Sequence, residues 1–82
     1  MPSILYIHGY RVGFFSADGG EPPHVHVSKG GNGAKFWIDP IALAENDGFR
    51  RHDLSDIIRI LEQHQDELLK AWHGYFRKNQ GD

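Results

Sequence analysis

The chain contains no cysteine, which removes disulfides, thiolate nucleophiles, iron–sulfur clusters and every zinc site that depends on sulfur. Any metal would have to be held by His, Asp or Glu. A charge surplus is also missing. Nine Lys and Arg stand against eleven Asp and Glu, a formal charge of -2, so no global field draws the chain to nucleic acid or anionic lipid, and only local patches can do so. No apolar run approaches the roughly 20 residues that a membrane span needs. The opening MPSILYIHGY lacks the basic and small-residue flanks of a signal peptide, so a cytoplasmic protein is expected. With 82 residues there is room for one domain, residues 1–82, with a thin core. What the chain does have in excess is histidine, six in all, and glycine, ten.

Apolar residues alternate in the first half and recur at helical spacing in the second, which predicts a sheet over about residues 3–39 followed by helices. Ser3 to His8 and Arg11 to Ser16 read as antiparallel strands around Gly9-Tyr10, and Ala17 to Pro23 as an ordered loop. His24 to Lys29 and Ala34 to Asp39 form the next pair, turned by Gly30-Gly31-Asn32-Gly33. Asp39-Pro40 reads as an N-cap followed by Pro at the first helical position, starting a short helix at 41–46. A long helix at 54–77 follows, capped by Asp53. Its stripe of Leu54, Ile58, Leu61, Leu68, Trp72 and Phe76 faces the sheet, with Gln65 as a polar exception inside it. The expected fold is α+β: an antiparallel sheet of about four strands on one long C-terminal helix, with a short helix before it. Val25, Val27, Phe36, Ile38, Leu61, Leu68 and Trp72 should share one core.

His24 and His26 are two residues apart on a predicted strand, so both rings leave one face while Val25 and Val27 enter the other. Two imidazoles so placed can share a divalent metal ion, completed by Asp18, Glu21, His8 or Asp39. Alternatively one of them serves as a general acid or base, with Glu21 as the carboxylate sharing the cleft and Arg11, Lys29 or Lys35 neutralising a phosphate. The plain alternative is a pair of histidines on a solvent-facing strand where Pro23 blunts further pairing. Alternation also leaves Trp37 beside Lys35 and Asp39 on the face away from the helix. A base-stacking or partner-binding surface uses a Trp placed in this way. The glycine cluster at 30–33 precedes a strand and lacks a Lys-Ser/Thr ending, so it is a hairpin turn and not a phosphate loop.

The run Glu21-Pro22-Pro23-His24-Val25-His26-Val27, followed by Ala34 to Pro40, Asn46, Gly48-Phe49 and Ala71-Trp72-His73-x-Tyr75-Phe76, resembles the small bacterial family catalogued as domain of unknown function 4160. That family has no established activity. Its members often lie beside a gene for a second small domain. The resemblance therefore implies one half of a toxin–antitoxin-like or regulatory gene pair, whose partner is the product of that neighbouring gene, or RNA or DNA. The leading expectation is a partner- or nucleic-acid-binding domain. Its rival is a His-dependent hydrolase, ribonuclease-like or metal-assisted, using His24 and His26.

Overall fold

Strand alternation in the first half of the chain builds a single antiparallel sheet, and the computed structural model describes residues 3–14 and 20–79 of it and of the helices that follow. The sheet contains β1 (Ser3–Ile7), β2 (Tyr10–Gly13), β3 (His24–Lys29), β4 (Asn32–Ile38) and β5 (Ile41–Asp47), in that spatial order. Two helices complete it, α1 (Arg51–Gln63) and α2 (Gln65–Asn79). The predicted end of the second strand at Phe15-Ser16, and the loop segment carrying Asp18, lie outside the described residues.

Each hairpin follows from its turn residues. His8 and Gly9 both take positive φ, 51° and 82°, and so do Gly30 and Gly31, at 57° and 87°. Paired positive φ values give the two-residue turn whose twist matches that of the flanking strands. The first turn therefore sits one residue earlier than Gly9-Tyr10, and Tyr10 belongs to β2.

The largest departure from expectation is β5. Residues 41–46 were expected as a short helix, and Ala42, Leu43, Ala44 and Glu45 are good helix formers. They instead pair with β4, Ile38 with Ile41, Trp37 with Ala42 and Phe36 with Leu43. The hydrogen-bonding edge of β4 is a tertiary partner that outweighs a weak local propensity over so few residues. Asp39-Pro40 is consequently the turn between two strands, and the sheet has five strands rather than about four.

The long helix is also divided. His64 leaves helical geometry at φ −119° and ψ 15°. Its Nδ1 pairs with the Ile60 carbonyl at 2.9 Å, while its backbone N–H donates to Leu61 at 3.2 Å. A side chain that enters the i→i−4 ladder breaks it locally. The ladder resumes at Leu68, whose N–H donates to the His64 carbonyl at 2.9 Å. At the other end the first turn begins at Arg51 rather than after Asp53. Asp53 acts from the third helical position, accepting the Arg50 N–H at 3.4 Å.

Six of the seven residues expected to share one core do so. Val25, Val27, Phe36, Ile38, Leu61 and Leu68 are buried together, joined by Tyr10, Val12 and Ile57. Trp72 falls in an adjoining cluster with Phe14 and Phe76. Gln65, the polar exception, donates its side-chain amide to the Ile38 carbonyl at 2.9 Å, which ties the start of α2 to the end of β4. Among the described residues, no helix is long and apolar enough to cross a membrane.

Candidate functional site

Strand register decides which side chains share a surface. On the helix side, Val12, Val27 and Ala34 form one cross-strand row, and Val25, Phe36 and Leu43 form the next. The opposite side carries three polar rows. Tyr6, Arg11, Ser28, Gly33 and Asp47 run across all five strands. Gly13, His26, Lys35 and Glu45 form the second row, and His24, Trp37 and Ala42 the third. Of the residues singled out in the sequence, His26, Arg11, Lys35 and Trp37 thus come to one face, and His24 stands in register with them at the end that α2 covers.

Glu21 joins them through Lys35. Its carboxylate holds the Lys35 ammonium at 2.6 Å, and that ammonium also lies 4.8 Å from the centre of the Trp37 ring. The Glu21–Lys35–Trp37 unit combines a charge-assisted hydrogen bond with a cation–π contact, so both aromatic and cation are held in place.

The two histidines are not equivalent. His24 is 1% exposed, whereas His26 is half-buried. His24 packs 5.0 Å from the Trp72 ring, 5.6 Å from Trp37 and 5.3 Å from His26. Its Nδ1 lies 2.9 Å from the Pro22 carbonyl. A carbonyl only accepts, so His24 carries its proton on Nδ1, and its enclosed Nε2 faces the protein interior. Glu21 is 3.8 Å from that same Nδ1, beyond hydrogen-bond length. His26 instead lines a depression of about 330 Å³ with Ser28, Gly33, Lys35, Glu45 and Asp47. That hollow exists because Gly33 has no side chain between Ser28 and Asp47 in its row.

Lys29 does not belong to this surface. It alternates onto the helix side, where its ammonium lies 4.6 Å from the Tyr10 ring centre and donates to the His8 carbonyl at 3.2 Å. With Tyr10, Asp53 and Asp56 it borders a separate cavity of about 450 Å³. Burial, and then the carboxylates of Asp53 and Asp56, push the Tyr10 phenol above its ordinary range. His8 lies in the first turn and Asp39 is exposed in the last, both apart from the histidine pair. Among the described residues, no group of three His, Asp or Glu side chains is placed to hold a metal ion. His24 and His26 therefore have no third ligand there, and Asp18 lies outside the described residues.

Sequence reasoning missed Tyr6, Ser28, Glu45 and Asp47. Tyr6 and Ser28 were legible from alternation once the turn at His8-Gly9 is placed. Glu45 was hidden because residues 41–46 read as helix, and Asp47 because it fell just beyond that helix.

Comparison with known proteins bears out the family resemblance. Residues 9–73 match the model of Domain of unknown function (DUF4160). No curated protein and no solved structure matches the chain. The matched span covers most of the sequence, and the chain therefore belongs to the DUF4160 family.

Proposed function

We propose that this chain is a protein-binding domain whose contact surface is the polar sheet face carrying Tyr6, Arg11 and Trp37, one half of a toxin–antitoxin-like or regulatory pair with the product of a neighbouring small gene. The observation that supports it is the gathering of Tyr6, Arg11 and Trp37 on that face. Tyr, Trp and Arg are the side chains that most often dominate binding energy at protein interfaces. Tyr6 is 72% exposed, so its apolar ring is available to a partner.

Charge favours a protein over a nucleic acid as the partner. Among the described residues, the cations of the face, Arg11 and Lys35, are outnumbered by Glu21, Glu45 and Asp47, and Lys35 is already paired with Glu21. A phosphodiester chain needs a cationic surplus to release its counterions, whereas protein interfaces use patches of both signs. Calorimetric titration of the purified neighbouring product into the full chain tests the reading. Binding should fall at least about tenfold for Tyr6→Ala and for Arg11→Ala, a loss of about 1.4 kcal/mol each. Unchanged binding by both variants would overturn the surface. Tight, strongly salt-dependent binding of single-stranded RNA would restore the nucleic-acid reading instead.

The hydrolase reading keeps one supporting observation, the depression beside His26 and Ser28. It would rest on His26 alone, since the His24 ring is enclosed. RNA cleavage abolished by His26→Ala, with folding intact, is the result it requires.

A further inference from the structure

We infer that the outer edge of β5 takes an added strand from the partner protein, and that this strand is an extended segment alternating apolar and basic side chains. The inference rests on the protein-binding reading above and names the mode of contact. β5 is the last strand of the sheet and pairs only with β4 among the described residues. No residue along it is buried. An edge of this kind presents a row of backbone donors and acceptors that another chain can complete.

Sheets usually block such edges with Lys or Pro. Ile41–Asp47 contains neither. Among the described residues, the two exposed large apolar side chains, Tyr6 and Leu43, lie on the two edge strands. β5 has seven residues to offer against five on β1. A register shift between Lys35 and Phe36 leaves Ala44 as an extra residue. That bulge twists the edge and opposes long, flat self-stacking, while leaving room for a short segment.

Side-chain polarity then specifies the occupant. Register puts Glu45 and Asp47 on the polar face and Ile41 and Leu43 on the helix side. An incoming strand must therefore carry Lys or Arg toward the first pair and apolar residues beside the second. Its basic side chains would reach the depression bordered by His26, Ser28, Glu45 and Asp47, where an arginine fork matches a carboxylate. A second copy of β5 does not fit. It has no basic residue, and self-pairing would bring more carboxylates together in a chain of net charge -2.

Amide NMR of the full chain tests this with three short capped peptides. One alternates valine and lysine, one has the same sequence with alternate backbone N–H groups methylated, and one replaces lysine with glutamate. The valine–lysine peptide should shift the β5 amides saturably, and the other two should not. The doubly charge-reversed variant Glu45→Lys, Asp47→Lys alters exposed positions and should lose at least about tenfold in affinity. Equal binding of the methylated peptide, shifts confined to other strands, or no binding at all would overturn strand addition. Concentration-dependent dimerisation abolished by Leu43→Lys would show that the occupant is a second copy. If the neighbouring product binds the wild type and the charge-reversed variant equally, strand addition fails while the protein-binding reading stands. If it binds neither, both fail.

Discussion

The imidazole of His24 and the indole of Trp72 lie 5.0 Å apart between ring centres, and both residues are buried. This contact joins the first residue of β3 to α2, so His24 works as part of the packing between sheet and helix. His26, two residues on, borders the depression instead. The two histidines of one motif thus have different tasks.

Replacing them should separate those tasks. His24→Ala removes the ring contact with Trp72 and the hydrogen bond to Pro22, and is expected to cost about 2 kcal/mol of stability. His26→Ala, at a half-buried position, should cost under about 1 kcal/mol. Urea denaturation followed by tryptophan fluorescence reads both. Equal losses would contradict the assigned roles.

Gln65→Leu keeps the size of the side chain but removes the donor to the Ile38 carbonyl. If that carbonyl is left without its partner, the expected cost is about 1–3 kcal/mol. A stabilised variant would show that this bond contributes nothing and that Gln65 is merely tolerated in the apolar stripe.

Two glycines should respond in opposite directions. At Gly74 an added Cβ meets nothing within 4 Å and the residue is helical, so Gly74→Ala should stabilise by about 0.5–1 kcal/mol. At Gly48, φ is +103° and a Cβ would run into Asn32 Oδ1. Gly48→Ala should therefore destabilise by about 1 kcal/mol or more. The neighbouring turn is held by Asn46, whose side chain bonds both the N–H and the carbonyl of Phe49 at 3.1 and 3.0 Å. Thermal unfolding of the two variants against wild type measures the contrast.

Tyr10 links stability to alkaline pH. Its folded-state pKa lies above the ordinary value, first through burial and then through Asp53 and Asp56. The neutral phenol is thus favoured by folding. Its contribution is complete below the unfolded value of about 10 and is lost as pH rises through the higher folded value. Tyr10→Phe should therefore lose less stability than wild type as the pH rises above about 10. Identical slopes in paired denaturation curves would count against the burial and carboxylate contacts at this ring.

The sequence by itself determined the features that depend on local periodicity and turn chemistry. The His24 to Lys29 strand, a glycine turn after it, the buried Val25 and Val27 and the burial of Leu61, Leu68, Trp72 and Phe76 follow from alternation, glycine conformational freedom and the 3.6-residue repeat, whereas β4 begins at Asn32 inside the expected turn and Ile57 and Ile60 are buried more deeply than Leu54 and Ile58. That His26, Lys35 and Trp37 share a face was also legible, because alternate residues of two hairpin strands fall on the same side, although the observed pairing of His26 with Lys35 depends on a turn two residues shorter than expected. Tertiary structure decided the rest. Ile41–Asp47 became a strand because the edge of β4 offered it a ladder that its own helix-forming residues could not match. That choice placed Glu45 and Asp47 on the polar face, where no local reading put them. The division at His64 depends on a ring nitrogen reaching Ile60, and the role of Gln65 on a carbonyl twenty-seven positions away. His24 and His26 are equivalent in strand alternation, and only the packing of Trp72 over the first of them made one structural and left the other at the surface.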